Sequence, residues 1–214
     1  MKINTPYFTL KIEVLLIIVF LISILFENVR NFLYSFYICY LFIVFHELSH
    51  MFIAAILGKE IKDFKMSLAG VCITFKEEKY EKIKITKINN IKNIFIYLAG
   101  PLSNLIIAVL FQNIKLIFEI NIFFALLNLI PLYPLDGYNI LQNILMIIKS
   151  KEKNKSILKI LEKVILLIFF TISILQIIYF KNPSMIIFVI YIYLQIKQKD
   201  VFDKNVEILK KIRY

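Results

Sequence analysis

His46-Glu47-Leu48-Ser49-His50 sits inside an apolar run from about Asn31 to Leu57, and the rest of the chain is read outward from it. Side chains four apart on an α-helix lie one above the other, so two imidazoles can share one metal ion while the intervening carboxylate stands beside it. The chain has only two histidines in 214 residues. Chance would set them four apart about once in 100 such chains, and with a Glu between them about once in 2000. A pair of merely packed core histidines is therefore the weaker reading. A carboxylate at membrane depth is costly unless something coordinates it or water reaches it, so Glu47 is read as functional.

The setting is a membrane. Hydrophobic residues make up 60% of the chain, mean hydropathy is +0.77, and the apolar residues come in blocks near 10–26, 31–57, 94–112, 122–148, 164–180 and 183–196. Most approach the roughly 20 residues needed to cross hydrocarbon. The reading is an all-α polytopic membrane protein of about six transmembrane helices. The first block has no small-residue cleavage site in Phe26-Glu27-Asn28-Val29-Arg30 and is read as an anchor. Residues 1–196 form the membrane domain, with a core over 31–148. Residues 197–214 form a short basic tail in which Phe202, Val206, Leu209 and Ile212 recur at helical spacing.

The formal charge of +11 does not call for nucleic acid. With the amino terminus inside, 23 of the 26 Lys and Arg fall in cytoplasmic pieces, against Arg30, Lys115 and Lys181 outside. The positive-inside rule accounts for this asymmetry and puts both termini in the cytoplasm. Cys39 and Cys72 lie at different expected depths, so no disulfide is expected. Cys39 is about 10 Å from His46 along a helix, too far for a shared ion.

Between the second and third blocks, Ser67-Leu68-Ala69-Gly70-Val71-Cys72-Ile73-Thr74-Phe75 and the alternating Lys82-Ile83-Lys84-Ile85-Thr86 suggest two strands with a turn near Lys76-Glu77-Glu78-Lys79. The result would be a small membrane-associated β-hairpin in the cytoplasmic segment. It serves either as an edge that receives an extended peptide or as a solvated connection between spans.

The third block carries Leu98-Ala99-Gly100-Pro101-Leu102-Ser103-Asn104. Small residues permit close helix approach, and an Asn in lipid needs a partner, so Asn104 is a candidate for facing the site. The fourth block is broken by Asn128-Leu129-Ile130-Pro131-Leu132-Tyr133-Pro134-Leu135-Asp136-Gly137. Two prolines and an Asp-Gly pair cannot continue as regular helix, and broken backbone at membrane depth belongs where it is buried in protein or lines a wet cavity. Asp63, Asp200 and Asp203 lie in charged stretches, whereas Asp136 is flanked by apolar ones. Charge topology delivers it to the same leaflet as His46 and His50. Asp136 is read as the third metal ligand; capping the helix that follows is the weaker reading and does not exclude ligation. The donor set of His46, His50 and Asp136 with one open position suits catalytic Zn²⁺.

These pieces, HELSH at 46–50, AGPLSN at 99–104 and NLIPLYPLDG at 128–137, resemble the site-2 protease family of intramembrane zinc metalloproteases, in the family's order. The resemblance implies hydrolysis of a membrane-embedded or membrane-associated protein substrate, with Glu47 as the catalytic acid and base and Asn128 holding substrate or the developing oxyanion. It also implies regulatory membrane partners. The compact layout without an inserted PDZ domain resembles the stage IV sporulation group, which implies a sigma factor precursor as substrate. Ser49 stands where the family often has Gly, and Tyr138-Asn139 where Gly-Arg is common. The competing class is a non-enzymatic membrane protein, either a metal transporter or a scaffold that keeps zinc for structure. Transport predicts further intramembrane acids or histidines along an ion path, and the last two blocks contain no acid except Glu162.

Overall fold

A computed structural model describes residues 2–4, 8–67, 70–75, 87–148 and 151–212. The chain divides into two compact units, Met1–Asn128 and Leu129–Tyr214.

The first unit opens with strands β1 (Lys2–Asn4) and β2 (Thr9–Ile12), followed by helices α1 (Val14–Leu25) and α2 (Glu27–Ile56). Phe26 between the helices is extended, at φ −120° and ψ 112°. Helix α2 stops at a Schellman motif. Gly58 takes φ +77°, a conformation that only glycine adopts freely, and its N–H reaches Ala55 O while that of Lys59 reaches Ala54 O. Strands β3 (Ile61–Ser67) and β4 (Gly70–Phe75) follow, then α3 (Lys87–Leu110) and α4 (Lys115–Asn128).

Among the described residues the strands form one four-stranded sheet in the order β1-β2-β3-β4, with β2 parallel to β3 and the other pairs antiparallel. A hairpin follows the second apolar block inside a larger sheet, but it joins β3 to β4, whereas the partner strand and turn expected after Phe75 lie outside the described residues. Ser67 pairs with Gly70 at the end of that hairpin, where Gly70 takes φ +133°, a conformation open to glycine. The strand expected at Lys82–Thr86 lies outside the described residues. Strands β1 and β2 were missed because a parallel pairing of Thr9 with Asp63 and Lys11 with Lys65 has no local signature.

Helices α2 and α3 pack together through matched stripes of fourth residues. Phe42, His46, His50 and Ala54 are buried along α2, and Ile96, Gly100, Asn104 and Ala108 along α3. Residues four apart share a face, and small ones let two backbones approach. At one end Lys92 Nζ donates to Leu57 O at 3.2 Å, satisfying a carbonyl left over by the end of α2, and Lys59 donates to Asn93 Oδ1.

The second unit contains an irregular segment over 129–135 and helices α5 (Asp136–Ile148), α6 (Lys151–Phe180) and α7 (Ser184–Ile212). Its core gathers Tyr138, Leu145 and Leu158, with Tyr133, Leu141 and Ile157 against them.

Among the described residues three helical stretches are long and apolar enough to cross a membrane: Leu33–Ile56, Lys87–Leu110 and Asn154–Phe180. Large apolar side chains such as Phe52, Ile106 and Leu167 stand exposed on them, as lipid-facing residues do. The other three apolar blocks are built differently. The first begins as strand β2 and leaves only the 12-residue α1; the fourth is split between α4 and α5; the last continues without a break into the basic tail as α7.

Candidate metal centre and active site

Helix α2 places the two histidines on one face, and both are buried, at 5% and 6% exposure. Their ring centroids lie 4.7 Å apart with the planes at 82°. His50 Nδ1 lies 2.6 Å from Ile96 O. A carbonyl oxygen only accepts, so Nδ1 carries the proton and Nε2 presents its lone pair. The helix that fixes this tautomer, α3, also makes room for it. A Cβ added at Gly100 would lie 2.5 Å from His46 Nε2 and 2.6 Å from His46 Cε1, and nearer still to His50 Nε2. Both Nε2 atoms are thus directed at the one position on α3 that has no side chain.

This arrangement fits a divalent metal ion. Two imidazole nitrogens aim at one place, one has its tautomer set by a carbonyl on its other nitrogen, and a glycine keeps the facing wall clear. Glu47, next to His46, is half-buried.

Asn104 follows Gly100 by one turn on the same stripe and is fully buried. Neither of its amide atoms has a hydrogen-bond partner among the described residues. Asn128, the last residue of α4, is half-buried and donates from Nδ2 to Phe124 O at 3.0 Å, one turn back in its own helix. Its Oδ1 is not engaged by that bond.

In the second unit, Asp136 is the first residue of α5, where its negative charge complements the positive end of the helix. The preceding segment folds tightly onto that start. A Cβ at Gly137 would come 2.5 Å from Ile130 O and nearer still to Leu129 O. Leu135 N donates to Leu132 O at 2.8 Å, the Tyr133-Pro134 peptide is cis, and Leu132 is fully buried. The Asp-Gly pair is therefore an element of close packing as well as a carrier of a carboxylate.

Sequence reasoning singled out the histidines, Glu47, Asp136 and the two asparagines. It assigned Gly100 to helix packing without seeing that the imidazoles are what it packs against, and it missed the Ile96 carbonyl. A backbone carbonyl has no signature in sequence.

Residues 110–172 match the family model for Peptidase family M50; this stretch holds Asp136 but not the HELSH segment. Among solved structures the chain is similar to the site-2 protease from Methanocaldococcus jannaschii, with 20% identity and a TM-score of 0.61 over 92% of this chain and 94% of that one. No curated protein matches by sequence. The two findings bear out the resemblance to the site-2 protease family and support a metalloprotease. The likeness in fold extends over nearly the whole length of both chains.

Proposed function

We propose that the chain is an intramembrane zinc endopeptidase in which His46, His50 and Asp136 hold the ion and Glu47 handles protons. The observation that carries this is the pair of imidazoles facing Gly100, with His50 fixed as its Nδ1–H form by Ile96 O. Zinc bound there would supply Lewis-acid polarisation of a peptide carbonyl and would acidify water. Glu47 would take the proton from the attacking water and hand it to the leaving amine. Asn128 and Asn104 would offer amide groups to substrate or to the developing negative charge. A transmembrane helix hides its carbonyls, so the substrate must present an unwound segment. Among the described residues strand β4 is one of the two edge strands of the sheet and packs on α2, which suits it to receive such a segment by strand addition.

The same reading gives six crossings with both termini in the cytoplasm, supported by the distribution of Lys and Arg. Labelling of single cysteines placed near Arg30, Lys115 and Lys181 from the outside of the cell tests it; protection of all three would reverse the orientation. The narrower substrate, a sporulation sigma factor precursor, rests on the compact layout and is tested by co-expression with such a precursor.

The deciding experiment compares wild type with Glu47→Gln and Asp136→Ala on a co-expressed membrane-associated substrate. Glu47→Gln should keep its zinc and lose on the order of 100- to 10,000-fold in cleavage rate. Asp136→Ala should bind zinc more weakly and abolish cleavage. Unimpaired function in Glu47→Gln would favour a scaffold, and metal flux into vesicles a transporter.

A further inference from the structure

We propose that Lys199, far along the chain on α7, is a positioning residue for Asp136; this rests on the reading of Asp136 as a metal ligand. The turn that presents Asp136 is bracketed by two tyrosines, Tyr133 before it and Tyr138 after it, whose rings meet edge to face with centroids 5.7 Å apart. Lys199 Nζ sits over both, 4.6 Å from the Tyr133 centroid and 3.7 Å from that of Tyr138. It also donates to Tyr138 Oη and, at 3.2 Å, to Glu162 Oε1 on α6. Glu162 is buried, at 5% exposure, and Lys199 is mostly so.

A buried ion pair gives little net stability, because desolvation offsets the attraction; what it gives is a fixed geometry that fails when one partner is removed. Here the geometry fixed is that of the turn. One ammonium group touches the residues at both ends of Tyr133-Pro134-Leu135-Asp136-Gly137-Tyr138 and is itself held by a carboxylate from a third element. The cation contributes through ring faces and one hydroxyl, contacts that set where the two tyrosines lie. Metal affinity depends strongly on such outer supports, since a ligand displaced by a fraction of an ångström no longer closes the site. The neighbouring pair, Lys159 with Asp200 at 3.3 Å, is exposed on both sides, so it serves as a control for a general change of charge near Glu162.

The test uses the full chain purified in detergent, with Co²⁺ titrated as the probe and its visible absorption recorded. Lys199→Met should weaken Co²⁺ affinity by about 10- to 100-fold and alter the band, while Asp200→Asn leaves both unchanged. Lys199→Arg, which keeps the charge, should recover part of the loss. In the Asp136→Ala background, Lys199→Met should cost nothing further, because the two act through one carboxylate. Wild-type affinity in Lys199→Met, or an equal loss when Asp136 is already gone, overturns the proposal while leaving Asp136 a ligand. Wild-type affinity in Asp136→Ala itself overturns the ligand assignment and this inference with it. Should Lys199→Met not fold, Tyr138→Phe carries the question: it keeps both rings, should weaken Co²⁺ in the same direction, and an unchanged affinity rejects the clamp.

Discussion

At Gly100 the absence of a side chain is the functional property. The two imidazole edges occupy the space where any other residue would place its Cβ, so even the smallest substitution must push α3 from α2 or turn the rings away. Overpacking of this kind costs about 1–3 kcal/mol in stability. The larger effect is on the site, because a misplacement of about 1 Å can cost on the order of 100-fold in rate. Gly100→Ala should therefore accumulate in the membrane with reduced zinc content and little cleavage, as measured by metal analysis of the purified protein beside a substrate assay. Full zinc occupancy and normal turnover in that variant would show that the rings lie elsewhere. Its neighbour Asn104 illustrates the opposite case: a fully buried amide whose two polar atoms find no partner among the described residues is an expensive group to keep for packing alone.

Helices and strands show different legibility. HELSH is readable because the four-residue repeat of a helix is local, and the break at 129–135 because proline and glycine act on their own backbone. The sheet is less readable, since its central pairing joins residues more than fifty apart. That pairing carries an ion pair, Lys11 Nζ to Asp63 Oδ1 at 2.9 Å, which links β2 to β3. The hydrogen bond from Lys11 holds the Asp63 carboxyl below the usual carboxylate range. A depressed folded pKa means that the stabilisation is fully present above the unfolded value and disappears as pH falls through the folded one. Protection of the β2 amides, taken relative to their intrinsic exchange rates, should hold from neutrality down to the ordinary carboxylate range and weaken only as pH falls below it. In Asp63→Asn this acid step should vanish; its persistence would assign the effect to another carboxylate.

For the molecule as a whole, large apolar side chains stand exposed along α2, α3 and α6, so solubility is set by lipid or detergent. A metal ion that binds only the folded chain stabilises it by mass action, by about 2.7 kcal/mol when free metal is a hundredfold above its Kd. Chelation in detergent should lower the thermal midpoint of the wild type and leave that of a His46→Ala, His50→Ala double variant unmoved, by fluorescence or calorimetry. A chelator shift of equal size in both would place the stabilising metal elsewhere.

The amino-acid sequence by itself determined the membrane class, the two histidines on one helix face with Glu47 beside them, and the broken segment that ends in Asp136, because each follows from local periodicity, composition or backbone restriction. Tertiary structure alone decided that Gly100 is the wall opposite the imidazoles, that the Ile96 carbonyl sets the His50 tautomer, that residues 9–12 belong to the sheet, and that Lys199 reaches Tyr133, Tyr138 and Glu162. Those facts depend on which face of one element meets which face of another, and a helix or strand pattern is the same whichever neighbour it finally meets.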